Sequence, residues 1–279
     1  MAEVSTPLGR WFYEERGAAG GGAAIVLLPS LLFDHRMWRE QLGPLSELGR
    51  VLAFDPPGHG KSEVPPRRFS MVDHADALAA ALGTLGVRRA VLVGLSWGAM
   101  VSFQLALRHP AIPAALALLD TSAGPEARWH RVKYGALAAY VRLFGAQPWL
   151  ARSQVAPLMF GRRSFAERRE LVEWWIGALG EFPTDGIARA VHAVTSRPDV
   201  LGRLGGVDLP ALVLCGKDDR ATPLVHSRRI AAALPRARLE VVEGAGHASA
   251  LEEPAAVNRL LVPFVREHLA DASPTAARA

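Results

Sequence analysis

Residues 90–108 read Ala90-Val91-Leu92-Val93-Gly94-Leu95-Ser96-Trp97-Gly98-Ala99-Met100-Val101-Ser102-Phe103-Gln104-Leu105-Ala106-Leu107-Arg108. The stretch runs 18 residues before its first charge, close to the length of a membrane span. Gly94, Ser96 and Gly98 interrupt it, Ser102 and Gln104 follow, and a strand-like apolar run gives way to a helical pattern. It is therefore predicted as a buried strand, a tight turn and a buried helix, with no membrane span.

Working outward, short apolar runs recur at Ala23–Leu28, Val51–Phe54, Ala115–Leu119, Ala211–Leu214 and Leu239–Val242. Helical stretches lie between them, at Ser70–Leu85, Trp97–Arg108 and Pro223–Leu234. Near-continuous apolar strands alternating with helices predict an α/β fold, a mostly parallel sheet covered on both faces. Trp11–Arg16 is expected to be an antiparallel edge strand, and Asp271–Ala279 a frayed tail. Half of the 279 residues are hydrophobic, enough to bury the core of one large domain.

The alternation stops between 124 and 200, where no strand-like run appears and Pro148, Pro157, Pro183 and Pro198 punctuate helical sequence. This segment carries 10 of the 20 aromatics, and 11 Lys/Arg against 7 Asp/Glu. It is read as a helical cap (lid) inserted into a core formed by 1–123 and 201–279. No dense Lys/Arg stripe accompanies the net charge of +5, so nucleic acid is not an expected partner. Cys215 is the single cysteine and can form no internal disulfide. With no signal-peptide pattern in Met1–Arg16, a cytoplasmic location is expected. Oligomeric state is not legible.

Chemistry concentrates at Gly94-Leu95-Ser96-Trp97-Gly98. A serine hydroxyl is a weak nucleophile that must be held exposed beside a base, and a sharp strand-to-helix turn flanked by small residues does this. The expected base is His247 in Gly244-Ala245-Gly246-His247, on a glycine loop after the last apolar run. His59, in a glycine turn, is given a structural role. The acid that orients His247 is expected to be Asp219, in the loop after Leu212–Cys215, with Asp218 and Asp120 as rivals. The order Ser96, Asp219, His247 follows the hydrolase order serine, acid, histidine. No metal or organic cofactor is needed, because such a triad supplies both nucleophile and proton transfer.

With these motifs in place the chain resembles the α/β-hydrolase superfamily over residues 10–123 and 201–270. Asp55-Pro56-Pro57-Gly58-His59-Gly60-Lys61-Ser62 is similar to that family's D-x-x-G-x-G-x-S turn, and the acid loop ends, as there, on a proline, Pro223. The resemblance implies that 124–200 is a mobile cap. It also implies an oxyanion hole built from the backbone amides of Leu31 and Trp97. One departure concerns the loop after the first parallel strand, where Pro29-Ser30-Leu31-Leu32 replaces the family's usual His-Gly. That loop, with Met37-Trp38 and the elbow, is similar to the esterase and enol-lactonase branch. The partner is then a small-molecule ester or lactone, cleaved through an acyl-enzyme. The candidates for its pocket are Leu32, Trp129, Tyr134, Tyr140, Trp149, Trp174 and Trp175.

Two decoys fail. Gly60-Lys61-Ser62 ends like a phosphate-binding loop, but position 55 is aspartate where that loop needs glycine. Trp97 resembles haloalkane dehalogenases, yet their nucleophile is aspartate. A carbon–carbon bond hydrolase of a meta-cleavage pathway would use the same triad, and a non-catalytic binding protein on this fold is the third alternative.

Overall fold

The apolar runs assemble into one eight-stranded sheet in the computed structural model, which describes residues 2–18 and 22–270. The strands are β1 (Ala2–Thr6), β2 (Gly9–Arg16), β3 (Ala23–Leu28), β4 (Val51–Phe54), β5 (Arg89–Leu95), β6 (Pro113–Leu119), β7 (Ala211–Gly216) and β8 (Ala237–Val242). Their order across the sheet is β1-β2-β4-β3-β5-β6-β7-β8. β1 and β2 pair antiparallel with each other, and β2 with β4; every later pairing is parallel. This is the α/β-hydrolase architecture expected from the sequence, with one correction. β2 contains Trp11–Arg16 and is antiparallel, but it is not an edge, because β1 lies outside it. The expected tail, Asp271–Ala279, falls outside the described residues.

The sheet is buried from both sides. Ile25, Leu27, Val91 and Val93 face one apolar cluster, while Val26, Leu28 and Leu92 face the other. That is the period-two alternation of a strand with no solvated face, and it explains the unbroken apolar runs. Each fully buried aliphatic side chain contributes roughly 1.5–3 kcal/mol relative to exposure.

The helices are α1 (Arg39–Ser46), α2 (Met71–Thr84), α3 (Trp97–Arg108), α4 (Arg128–Phe144), α5 (Pro148–Leu150), α6 (Ala156–Met159), α7 (Arg162–Glu167), α8 (Arg169–Gly180), α9 (Thr184–Thr195), α10 (Leu224–Ala233), α11 (Ser249–Glu252) and α12 (Pro254–Leu269). Local chemistry fixes several ends. Ser70 caps α2 by accepting from the Asp73 amide at 3.1 Å, while Asp73 accepts from the Ser70 amide at 2.8 Å. Pro148 and Pro254 occupy the first turns of their helices, where the missing N–H costs nothing.

Between β6 and β7 the described chain is helical, from α4 to α9, with a short 3-10 turn at Leu201–Gly206. This helical segment is anchored to the sheet domain. The Trp175 indole donates to the Leu32 carbonyl at 3.0 Å. Gly186, in the first turn of α9, packs so close to Gly58 that a Cβ on Gly186 would lie 2.2 Å from the Gly58 carbonyl oxygen. Among the described residues, no helix is long and apolar enough to cross a membrane.

Candidate active site

β5 delivers Ser96 and α3 carries the chain away. Ser96 sits at φ 52, ψ −106, a region sparsely populated for any residue with a Cβ. The turn is forced by crowding. A Cβ on Gly94 would lie 2.4 Å from the Ala99 amide, and one on Gly98 only 2.0 Å from the Leu28 carbonyl oxygen. The Ser96 amide donates to the Leu119 carbonyl at 2.8 Å, and its own carbonyl accepts from the Thr121 hydroxyl at 2.9 Å. Ser96's N–H is therefore committed to β6. Trp97 opens α3, and the first amides of a helix have no intrahelical acceptor.

His247 lies in the loop between β8 and α11 and is buried. Its Nδ1 is 3.0 Å and 3.1 Å from the two carboxylate oxygens of Asp219. Asp219 is itself held. One oxygen accepts from the Ala221 and Thr222 amides at 2.9 Å, and the other from the Thr222 hydroxyl at 2.8 Å. Burial pushes the Asp219 carboxyl up, but the charge of His247 and these hydrogen bonds outweigh it and hold the group below its usual range. Burial pushes the His247 imidazole down, yet the charge and hydrogen bond of Asp219 more than offset it, and the ring sits above its ordinary value.

The rival acids separate cleanly. Asp218 is exposed. Asp120 is buried at φ 47 after β6, where it accepts from the Gly216 amide at 2.7 Å and from the Ser249 hydroxyl. Burial, reinforced by the charge of Asp219, pushes the Asp120 carboxyl well above its usual range. Two carboxyls close together cannot both ionise cheaply, and here Asp219 keeps the charge.

Ser96, His247, Leu31 and Leu32 line one cavity of about 450 Å³, a size typical of small-molecule sites. The loop that departs from the family pattern is ordered without a glycine. Phe33 donates to the Ser30 carbonyl at 3.2 Å, and Leu32, at the third position of this turn, has φ 67, the sign that a type II turn takes there. Met100 and Ser122 also line it, and Leu137, Val141, Leu158, Met159, Ile187 and Val191 form apolar wall. A polar end combines Glu126, His130, Tyr134, Arg197 and His226, with Arg197 donating to Glu126 at 2.8 Å and His130 within 2.8 Å of it.

The residues expected in the pocket divide. Tyr134 and Leu32 line it. Trp129 and Trp149 do not, being 62% and 58% exposed. Nor does Tyr140, whose ring packs on Phe144, or Trp174, which lies under the Arg39 guanidinium. Trp175 is buried in the core. The expectation rested on composition, which cannot say which face of a helix is turned inward. Thr222, Arg197, Glu126 and His226 line the cavity without being among the residues expected from sequence. Thr222, three residues after Asp219 in a turn, carried a legible signal; the others depend on contacts between distant segments.

Among the described residues, two buried groups each bring three potential metal ligands together, Asp34–His35–Asp55 and Asp120–Cys215–Asp219. Their lone pairs are already engaged. One Asp55 oxygen accepts from the His35 amide and meets His35 Nδ1 at 2.6 Å, and the other accepts from the Lys61 amide at 2.8 Å. Burial pushes the Cys215 thiol far up, away from the thiolate a metal would need.

Behind the elbow, His59 and His74 press their rings on Trp97 with centroids 5.3 Å and 5.1 Å away. Burial holds His59 down at about 4 and His74 at about 3. Both are neutral in the fold and take a proton near the ordinary 6.5 once unfolded. Their contribution to stability is full above pH 6.5 and is lost as the pH falls toward 4. By pH 4.5 each should cost about 2–3 kcal/mol. Urea unfolding between pH 7 and 4.5 checks this: the His59→Phe/His74→Phe variant should show a flatter profile, and an unchanged slope would assign the acid sensitivity elsewhere.

Comparison with known proteins agrees with this arrangement. A family model described as alpha/beta hydrolase fold matches residues 23–254. The chain is 30% identical over 256 residues to a protein provisionally named carbamate hydrolase RutD from Variovorax paradoxus (strain S110), spanning 91% of this chain and 95% of that one. The enol-lactonase of Burkholderia xenovorans LB400 superposes with a TM-score of 0.88 at 28% identity, covering 95% of this chain and 99% of that one. A thermophilic esterase from Thermogutta terrifontis does so at 0.87 and 27% identity, covering 98% of each chain. An elbow serine, a buried histidine–aspartate pair, this sheet order and the family match converge, with likenesses to an esterase and an enol-lactonase beside them: the chain belongs to the α/β-hydrolase family.

Proposed function

We propose that the protein is a serine hydrolase that cleaves carboxylic esters or lactones through an acyl-enzyme. The observation that carries this reading is the buried pairing of His247 Nδ1 with Asp219 at 3.0 Å, in the cavity that Ser96 also lines. Asp219 fixes the imidazole with its proton on Nδ1 and leaves Nε2 free to act as base. His247 takes the Ser96 proton as Oγ attacks the carbonyl carbon. The Leu31 and Trp97 amides hold the oxyanion, and a donor of this kind is typically worth about 3 kcal/mol. Collapse expels the alcohol, which takes the proton from His247. Water, activated by the same imidazole, then releases the acid. The helical segment 124–200 acts as the cap over this chemistry and supplies the apolar wall and the polar end of the pocket.

A carbamate substrate is the second reading, favoured by the name of the Variovorax relative. It passes through the same tetrahedral geometry. A fluorophosphonate probe and a substrate panel test the scheme. The probe should label the folded protein once, at Ser96. Aryl esters or lactones should exceed the matching aryl carbamate in kcat/KM by more than about 10-fold. The reverse ranking would make the carbamate the substrate class. A chromogenic dienone turned over faster than either would move the assignment to carbon–carbon cleavage, and absence of labelling would leave a binding protein.

A further inference from the structure

The buried carboxylate of Glu252, at the end of α11, takes no part in the scheme above, yet it binds to both sides of the site. Its Oε1 accepts from the amide of Gly246, the residue before His247, at 2.9 Å. Its Oε2 accepts from the cap, from the Gly161 amide at 2.7 Å and the Ser164 hydroxyl at 2.7 Å. The residue after His247 is held by the same edge of the cap, since the Ala248 amide donates to the Met159 carbonyl at 2.9 Å. The two backbones are in close contact: a Cβ on Gly246 would lie 2.3 Å from the Gly161 amide. The chain on either side of the imidazole is thus fastened to residues 159–164, once directly and once through Glu252.

We infer that Glu252 is a positioning residue for His247, and that the Met159–Ser164 edge of the cap is the second anchor of the His247 loop, so that the imidazole is aligned only while this edge is seated. The inference rests on the reading of His247 as the base. A buried carboxylate is costly unless its lone pairs are satisfied, and here three donors from two separate segments satisfy it. Lifting the cap edge would strip two of the three donors and leave the carboxylate underbonded, so the closed arrangement and the placed histidine stand or fall together. Charge adds to geometry. The carboxyls that face His247 are Asp219 from the acid loop, Asp120 from the end of β6 and Glu252 from α11. Arg168 of the cap donates to the Glu252 carbonyl, and Arg163 to neighbouring Glu253 at 3.1 Å. The negative charge of Glu252 favours the protonated form of His247.

Glu252→Gln, Glu252→Asp and Ser164→Ala in the full chain test this, read by ester kinetics, the pH profile of Ser96 phosphonylation, and NMR titration of His247. Glu252→Gln should lower kcat by about 10–100-fold, since a displacement near 1 Å is enough for that, with KM within about twofold. The acid limb and the His247 titration should move to lower pH together. Glu252→Asp keeps the charge but loses reach, so it should restore the acid limb and not kcat. Ser164→Ala should lower kcat about 3-fold with the acid limb unmoved. Wild-type kcat and acid limb in Glu252→Gln, with only a lower melting temperature, would make Glu252 merely structural. Glu252 is likewise structural if Glu252→Gln does not fold and Glu252→Asp keeps full kcat. A Ser164→Ala variant as fast as wild type would remove the cap anchor from the proposal. If the wild-type serine is not phosphonylated, the hydrolase reading fails, whereas the His247 titration still reports on Glu252.

Discussion

Ser96→Ala should lower kcat for ester hydrolysis by about 10⁶-fold, because loss of the nucleophile removes the acyl-enzyme route and leaves only binding and the oxyanion donors. The fold should be unaffected, since the Ser96 side chain makes no hydrogen bond that defines the elbow. Backbone contacts hold it, from the Ser96 amide to Leu119 and from the Thr121 hydroxyl to the Ser96 carbonyl. Ser96→Gly gives an independent reading of the same turn. A residue with a Cβ at φ 52 and ψ −106 stores on the order of 1–3 kcal/mol. Glycine should release part of it, raising the melting temperature while activity stays lost. Retention of more than about 1% of wild-type kcat by a folded, contaminant-free Ser96→Ala sample would refute the nucleophile assignment, given the size of the expected loss.

The second large effect separates the two buried acids. Asp219→Asn should lower kcat by about 10⁴-fold, because an amide there favours the wrong tautomer of His247 and no longer stabilises the imidazolium. Without that carboxylate, burial is left to act on His247 and the acid limb of kcat/KM should move to lower pH. Asp120→Asn should change kcat by less than about 5-fold, since burial already keeps Asp120 towards its neutral form and an amide can still accept from Gly216. Kinetics of the two variants from pH 5 to 9 decide the matter. A severe loss in Asp120→Asn beside a mild one in Asp219→Asn would exchange their roles.

The sheet was largely legible because its strands are buried on both faces, so Ala23–Leu28 and Ala211–Leu214 stand out as apolar runs bounded by turn residues. β1 was not, since Ala2–Thr6 is five residues of mixed polarity with only Val4 buried. The elbow was legible because a strained turn imposes its small residues locally, at Gly94 and Gly98. The choice among Asp120, Asp218 and Asp219 was not. It turns on whether a carboxylate meets Thr222 and His247 or Gly216 and Ser249, and those contacts come from segments up to 129 residues apart. Glu252 was illegible for the same reason, its donors Gly161 and Ser164 being 91 and 88 residues away.

α4 carries a consequence for how such a protein can change. Of its 17 residues only Ala138 is buried, so most of its side chains can be exchanged at surface-like cost, usually within about 0.5 kcal/mol. Yet His130, Tyr134, Leu137 and Val141 on this same helix face the cavity. A different stretch of the segment, Met159–Ser164, is the one fastened to the His247 loop and to Glu252. Under the proposed mechanism inheritance is thereby divided: the stretch fastened to the His247 loop tolerates little, while α4 can drift, and a lineage can acquire a new diet on α4 without rebuilding its catalyst.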